Sequence, residues 1–348
     1  MQTRRTLLVL GICALVALGG SVLWRTPAPG YAQSPKMYWG NSPGGTIQRA
    51  DLDGTNVETC ITGLNAPNAI ALDTLNGKIY WADPGSDKIQ RANLTCPSTP
   101  EDLVTTGLQD AEGIALDTGG GKMYWTDVTA DRIERANLDG SGRTVLCTVA
   151  NVIRGIALDL PAGKMYWTNS TIIQRANLDC SGIETCATGA GDARHVALAA
   201  GKVYWGNAAA GKIQRRSSDC TGSVEDCVTG LVEPQGVALD FRGKIYWTDN
   251  LDHKVQRSNL ACPGGVPELL VTTGTDGPIS LALDLGGVGG IVELPEAAGT
   301  PQQAGESSSF SVGVLAGIVA AVAVGTVALG GAAWWVRRRG TGGLTSDG

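Results

Sequence analysis

The side chains available for chemistry in this 348-residue chain are few: two histidines, His195 and His253, and nine cysteines. Neither histidine has a nucleophile nearby in sequence or a metal-ligand spacing, and no Gly-rich phosphate loop precedes a helical pattern. The residues best placed to meet a ligand are Asn68, Glu112, Arg154, Arg194 with His195, and Gln235, with Pro278 ending the series. Each enters a run of the type Ile-Ala-Leu-Asp, and they differ from copy to copy, as residues grafted onto a repeated scaffold do. Such a mixed polar set could hold a small ligand or a partner's side chain, or could form a solvated rim. Glu112 with His195 comes nearest to an acid/base pair, the kind of set a hydrolase or lyase would use.

Cysteine chemistry points to crosslinks. Cys13 lies inside an N-terminal apolar run, which leaves eight cysteines, an even number suited to disulfides in an exported chain. Short spacing across a hairpin favours Cys180 with Cys186 and Cys220 with Cys227, and spacing alone assigns no partners to Cys60, Cys96, Cys147 and Cys262. The Asp-rich turns at 51–54 and 83–87 do not follow the spacing of a calcium loop, and Asp suits turns through its own backbone bonding. No metal or cofactor is expected. With a net charge of −6 and basic residues spread one or two per repeat, the chain lacks the basic footprint of a nucleic-acid surface.

These residues sit on a repeat. Lys-Met-Tyr-Trp at Lys36 has close copies at Lys78, Lys122, Lys164, Lys202 and Lys244, with 38 to 44 residues between successive tyrosines. That period fits one propeller blade. Each period holds four short runs bounded by Gly, Pro, Asn or Asp, and four strands make a blade. Adjacent bulky residues such as Met123, Tyr124 and Trp125 point to opposite sides of a strand, so both faces must be buried, as happens when a blade is stacked between two others. Each Trp can bury about 150 to 250 Å², roughly 4 to 6 kcal/mol as an upper bound. Ala71, Ala115, Ala157, Ala197, Ala238 and Ala282 suit the innermost strands, where blades converge.

Arg49, Arg91, Arg135, Arg175, Arg215 and Arg257 occupy one place in every copy. A residue present in all blades serves the blade, by pairing with Asp73, Asp117, Asp159, Asp240 or Asp284 or with the acid after the Tyr-Trp pair; the alternative is a charged ring facing a ligand. The first copy lacks an innermost strand before Lys36, while residues 278–284 form an innermost strand with no Tyr-Trp strand after it. The expected fold is all-β: a six-bladed β-propeller of four-stranded blades, closed by pairing of N- and C-terminal strands.

Tyr-Trp-Thr-Asp at Tyr124 to Asp127 and at Tyr246 to Asp249, each followed by Ile/Val-x-Arg-Ala/Ser-Asn-Leu, resembles the class B (YWTD) repeats of the low-density lipoprotein receptor family. The resemblance runs from about Lys36 to Asp284. It implies a six-bladed propeller used for protein recognition or structural support and not for catalysis. Asn replaces the final Asp at Asn41, Asn169 and Asn207, which puts any ion pair at that place in doubt in three blades.

The termini set the location. Residues 1–32 carry Arg4 and Arg5, an apolar run and a small-residue site at Gly30 and Ala32, and read as a signal peptide. Residues 311–336 are uncharged, long enough for a transmembrane helix, and followed by Arg337, Arg338 and Arg339. The expected layout is signal 1–32, propeller 33–287, flexible stalk 288–310, transmembrane helix 311–336 and cytoplasmic tail 337–348. The chain thus reads as a single-pass cell-surface protein whose extracellular propeller binds a protein or carbohydrate partner. The alternatives are a surface hydrolase or lyase acting at the channel mouth and a structural protein without a specific ligand.

Overall fold

The computed structural model describes residues 34–286 apart from 241 and 273. The segments read as signal, stalk, membrane helix and tail lie outside the described residues, and among the described residues no helix is long and apolar enough to cross a membrane. Six four-stranded antiparallel sheets account for the strands. Each sheet is one blade. The third shows the plan: innermost strand Ala111–Asp117, then Lys122–Asp127, Arg132–Asn137 and outermost Thr144–Thr148. The first blade takes its innermost strand, Pro278–Asp284, from the far end of the described chain; it pairs antiparallel with Lys36–Asn41.

The doubly bulky strand works as its residue types demand. In all six copies the Trp is fully buried and the Tyr nearly so. The two rings serve different neighbours, because successive side chains leave a strand on opposite faces. Tyr80 of blade two shares an apolar cluster with Trp125 of blade three, Tyr124 shares one with Trp167, and Tyr246 of blade six shares one with Trp39 of blade one. Every seam is thus a Tyr from one blade packed beside a Trp from the next. The small Ala residues of the innermost strands are partly exposed.

The repeated arginines have a structural use, with partners other than those expected. Five of them lie directly opposite a glutamate on the outermost strand and pair with it: Arg49 with Glu58, Arg91 with Glu101, Arg175 with Glu184, Arg215 with Glu225 and Arg257 with Glu268, all at 2.7–2.9 Å. Four also reach across the seam to a carbonyl of the following blade, at Leu94, Leu138, Ser218 and Leu52. The Asp of the innermost strand is not the partner, because it caps its own turn; Asp73 accepts from the Asn76 backbone, for example.

The disulfides correct the sequence expectation. Cys180 bonds Cys147 and not Cys186, Cys186 bonds Cys220, Cys227 bonds Cys262 and not Cys220, and Cys60 bonds Cys96. Each bond joins an outermost strand to the turn after the third strand of the next blade. Cys180 and Cys186 sit six residues apart but face opposite neighbours, so proximity in the chain misleads. Two seams lack the bond. There Leu103 and Leu270 stand in the outer-strand place, and the turn carries Gly140 and Gly54, where an added Cβ would lie 2.3 Å from the Leu103 or Leu270 carbonyl oxygen.

Candidate functional site

The loops feeding the innermost strands are pinned by the last residue of the Tyr-Trp motif. Asp127 accepts from the Gln109 backbone, and Asp249 accepts from the Val232 and Glu233 backbones. Asn does the same work from the other side of the hydrogen bond: Asn169 donates to the Ala150 carbonyl and Asn207 to the Gly189 carbonyl. No ion pair is needed there, so the Asp-to-Asn exchanges leave the loops held. Asn169 is also buried and donates to Gln174 at 2.7 Å.

Beyond the pinned loop, five of the six innermost strands carry a register shift at their entry. A bulge leaves backbone groups unpaired. In three blades the motif's Thr supplies them: Thr248 accepts from the Gly236 N–H at 2.8 Å and donates to the Ile279 carbonyl of the next blade at 3.0 Å, with Thr126 and Thr168 bonding Gly113 and Gly155 alike. The first blade exchanges the pair. Gly40 stands where Thr would be, and Ser280 stands in the Gly place and donates to the Asn68 carbonyl at 2.6 Å.

This geometry fixes which residues share one register at the entry of the innermost strands. Counting back three from each innermost Ala gives Asn68, Glu112, Arg154, Arg194, Gln235 and Ile279 as one equivalent position. Pro278 is therefore displaced from the set by Ile279, since the bulge pairs Pro278 with Asn41. His195 also belongs one place further on, in the register of Ser280 and of the three glycines, within the register shift between Ala193 and Val196. Its Nδ1 is buried without a hydrogen-bond partner among the described residues, and burial first, then Arg194 and Arg154, pushes the imidazole down to about 3. It is neutral at physiological pH.

Three of the expected residues do come together. Arg154 lies 3.5 Å from Glu112 and 2.9 Å from Asp192, and Arg194 lies 3.6 Å from the other Asp192 oxygen. The chain Glu112, Arg154, Asp192, Arg194 spans blades three to five. Asp192 was not foreseen; it sits just ahead of the innermost strand, five residues before Ala197, the place that Asp110 and Glu233 take in blades three and six. Among the described residues Glu112 has no side-chain hydrogen-bond donor beyond that long arginine contact, and burial, outweighing the attraction of Arg154, pushes its carboxyl up to about 7. An open cavity of about 150 Å³ beside this chain is lined by Val152, Arg154, Ser170, Thr171 and Asp192. The opposite side of the mouth differs. Asn68 and Gln235 are buried there, with Gln235 donating to Glu233 and its carbonyl oxygen unpartnered.

No hydrogen bond or ion pair joins Glu112 to His195, so the acid/base pair suggested by sequence is not assembled. Among the described residues no cluster of His, Cys, Asp or Glu could hold a metal ion. The arrangement offers instead two arginines held by acids at a partly open rim, able to exchange those partners for an incoming polar group.

The low-density lipoprotein receptor repeat class B family matches residues 35–74 and 121–160. Nidogen-2 of Mus musculus is 47% identical over 60 residues, 17% of this chain and 4% of that protein. Low-density lipoprotein receptor-related protein 1 of Pyricularia oryzae is 39% identical over 67 residues, 16% of this chain and 22% of that one. The chain thus matches only a small part of these curated relatives. Among solved structures, a nidogen/laminin complex superposes with a TM-score of 0.66 and 24% identity, over 72% of this chain and 98% of that one. A streptogramin B lyase superposes with a TM-score of 0.54 and 15% identity over 70% of this chain and 82% of that one, a likeness of fold alone.

Proposed function

Starting from a chain that belongs to the class B (YWTD) repeat propellers, we propose that it is a cell-surface binding protein that takes a protein partner on the face holding Glu112, Arg154, Asp192 and Arg194. The observation that carries the reading is the contrast between constant supports and variable rim. Trp, Tyr and the Asp or Asn cap recur in every blade, whereas the six rim positions carry five different residue types. Repetition maintains the scaffold, and departure from it marks where a ligand is met. Charged pairs at a rim steer a partner and set its register more than they add affinity.

Export by residues 1–32, a stalk at 288–310 and anchoring by residues 311–336 complete the proposal and would hold this face outward. Pairing of Pro278–Asp284 with Lys36–Asn41, and the Tyr246–Trp39 packing, support reading the six blades as a ring closed without a covalent bond. That nidogen occurs in a complex with laminin supports a protein as the class of partner. The test uses the full-length chain on cells, with a photo-crosslinking residue placed at Val152 beside the rim or at Leu75 beyond the far end of an innermost strand. Both sites are exposed. Capture of one partner from Val152 and none from Leu75 supports the proposal, and equal capture from both, or none from either, overturns it.

A further inference from the structure

The third blade breaks the charge pattern of the other five on its outer edge. Glu58, Glu101, Glu184, Glu225 and Glu268 each open an outermost strand and neutralise the arginine opposite. In blade three the residue opposite Arg135 is Thr144. The outermost strand Thr144-Val145-Leu146-Cys147-Thr148 is the one among the described residues with no acid. Arg135 faces no carboxylate; its guanidinium lies 5.7 Å from the centre of the Tyr124 ring. The acid of this blade sits one place inward, at Glu134, where the other blades have Gln. Glu134 is buried and already held by Arg143 at 2.6 Å, with Arg132 at 3.6 Å.

The same edge is uncovered. The Cys60, Cys186 and Cys227 carbonyls of three other outermost strands accept hydrogen bonds from the following blade. Among the described residues no such bond reaches Thr144–Thr148. Val145 is 45% exposed, and Cys147 ties the strand to blade four, so its outward N–H and C=O groups form a fixed, unpaired row. Acidic residues on an edge strand discourage further pairing, and here they are missing.

We propose that the outer edge of blade three is a second interaction surface, on which an extended segment of a partner protein pairs with Thr144–Thr148 as a fifth strand and sets a carboxylate against Arg135. Strand addition takes its affinity from main-chain hydrogen bonds and its selectivity from alternate side chains. A fifth strand lies about 9.5 Å from the strand of Arg135, two strand spacings away. Thr144 is short enough for an arginine and a glutamate to meet over it. On the other five edges the resident glutamate holds the arginine and repels an incoming acid.

The experiment follows hydrogen exchange in the full-length chain with two capped peptides, Thr-Val-Glu-Val-Thr-Val and the same sequence with Lys for Glu. The acidic peptide is expected to slow exchange at residues 144–148 and on no other outermost strand. Thr144→Glu, which recreates the pairing of the other blades, and Arg135→Gln are each expected to weaken this about tenfold. No slowing at 144–148, equal slowing by both peptides, or retention in Thr144→Glu overturns the proposal. Slowing that grows with protein concentration in the absence of peptide also overturns it, because a second copy would then occupy the edge.

Discussion

Thr248→Val tests how the entry bulges are sustained. The two side chains have nearly the same volume and both suit a strand, so the substitution opens no cavity and leaves the Trp247 packing in place. What it removes is one hydroxyl that is fully buried and serves two backbone groups, the Gly236 N–H at 2.8 Å and the Ile279 carbonyl at 3.0 Å. Leaving a buried polar group without a partner costs about 1–3 kcal/mol, so two such groups give roughly 2–6 kcal/mol. Against a total stability of the order of 5–15 kcal/mol this is a large share. Urea unfolding followed by tryptophan fluorescence, with disulfides intact, should show a lower midpoint and an unchanged slope. Thr248→Ser keeps the hydroxyl and should cost only about 1 kcal/mol for the lost methyl. A Val variant within about 0.5 kcal/mol of the parent, or a Ser variant as unstable as the Val variant, would show that the hydroxyl does not serve the bulge.

Two further outcomes follow from the same geometry. Replacing Cys186 and Cys220 together by Ala frees a loop of sequence separation 34 and should destabilise by about 4 kcal/mol on the chain-entropy account, while non-reducing peptide mapping of the parent yields Cys147 with Cys180 and never Cys180 with Cys186. Glu112, pushed up to about 7 from an unfolded value of 4.5, binds its proton more tightly folded than unfolded. Stability from this group is therefore highest below about 4.5 and falls as pH rises towards 7, by at most about 1.4 kcal/mol per pH unit. Glu112→Gln should flatten that part of the stability profile and be more stable than the parent at pH 8; denaturation midpoints at pH 4, 5.5 and 8 check this, and an unchanged slope would refute it.

Much of the scaffold was legible because one physical demand, bulk on both faces of a strand, recurs at Tyr38, Tyr80, Tyr124, Tyr166, Tyr204 and Tyr246 with the adjoining Trp. The residues entering the innermost strands stood out in the sequence because they differ from blade to blade. The sequence reading named Arg194 with His195, and Pro278 in the last blade; counting back from the constant Ala, past the bulge, keeps Arg194, sets His195 one place further on and puts Ile279 in place of Pro278. The disulfides were misread because sequence spacing measures distance along a hairpin and says nothing of which neighbour each side faces. Leu103 with Gly140 and Leu270 with Gly54 are matched absences, since each cysteine pair is lost or kept as a unit across a seam. The empty place opposite Arg135 belongs to a single blade, and a repeat-based reading averages such a departure away; Asp192 lies outside the residues that enter the innermost strand, although Asp110 and Glu233 stand at the same place.

The crosslinks close four separate loops along the described chain, none of which overlaps another. One bond lies before residue 105 and three lie after residue 146, so none spans the connection at 105–110. A protease that nicks there would leave two pieces of this region with no sulfur bridge between them, separable by denaturant alone without any reductant. A nick at 160–163 would be silent by comparison, because Cys147 and Cys180 bracket it and hold the cut ends together.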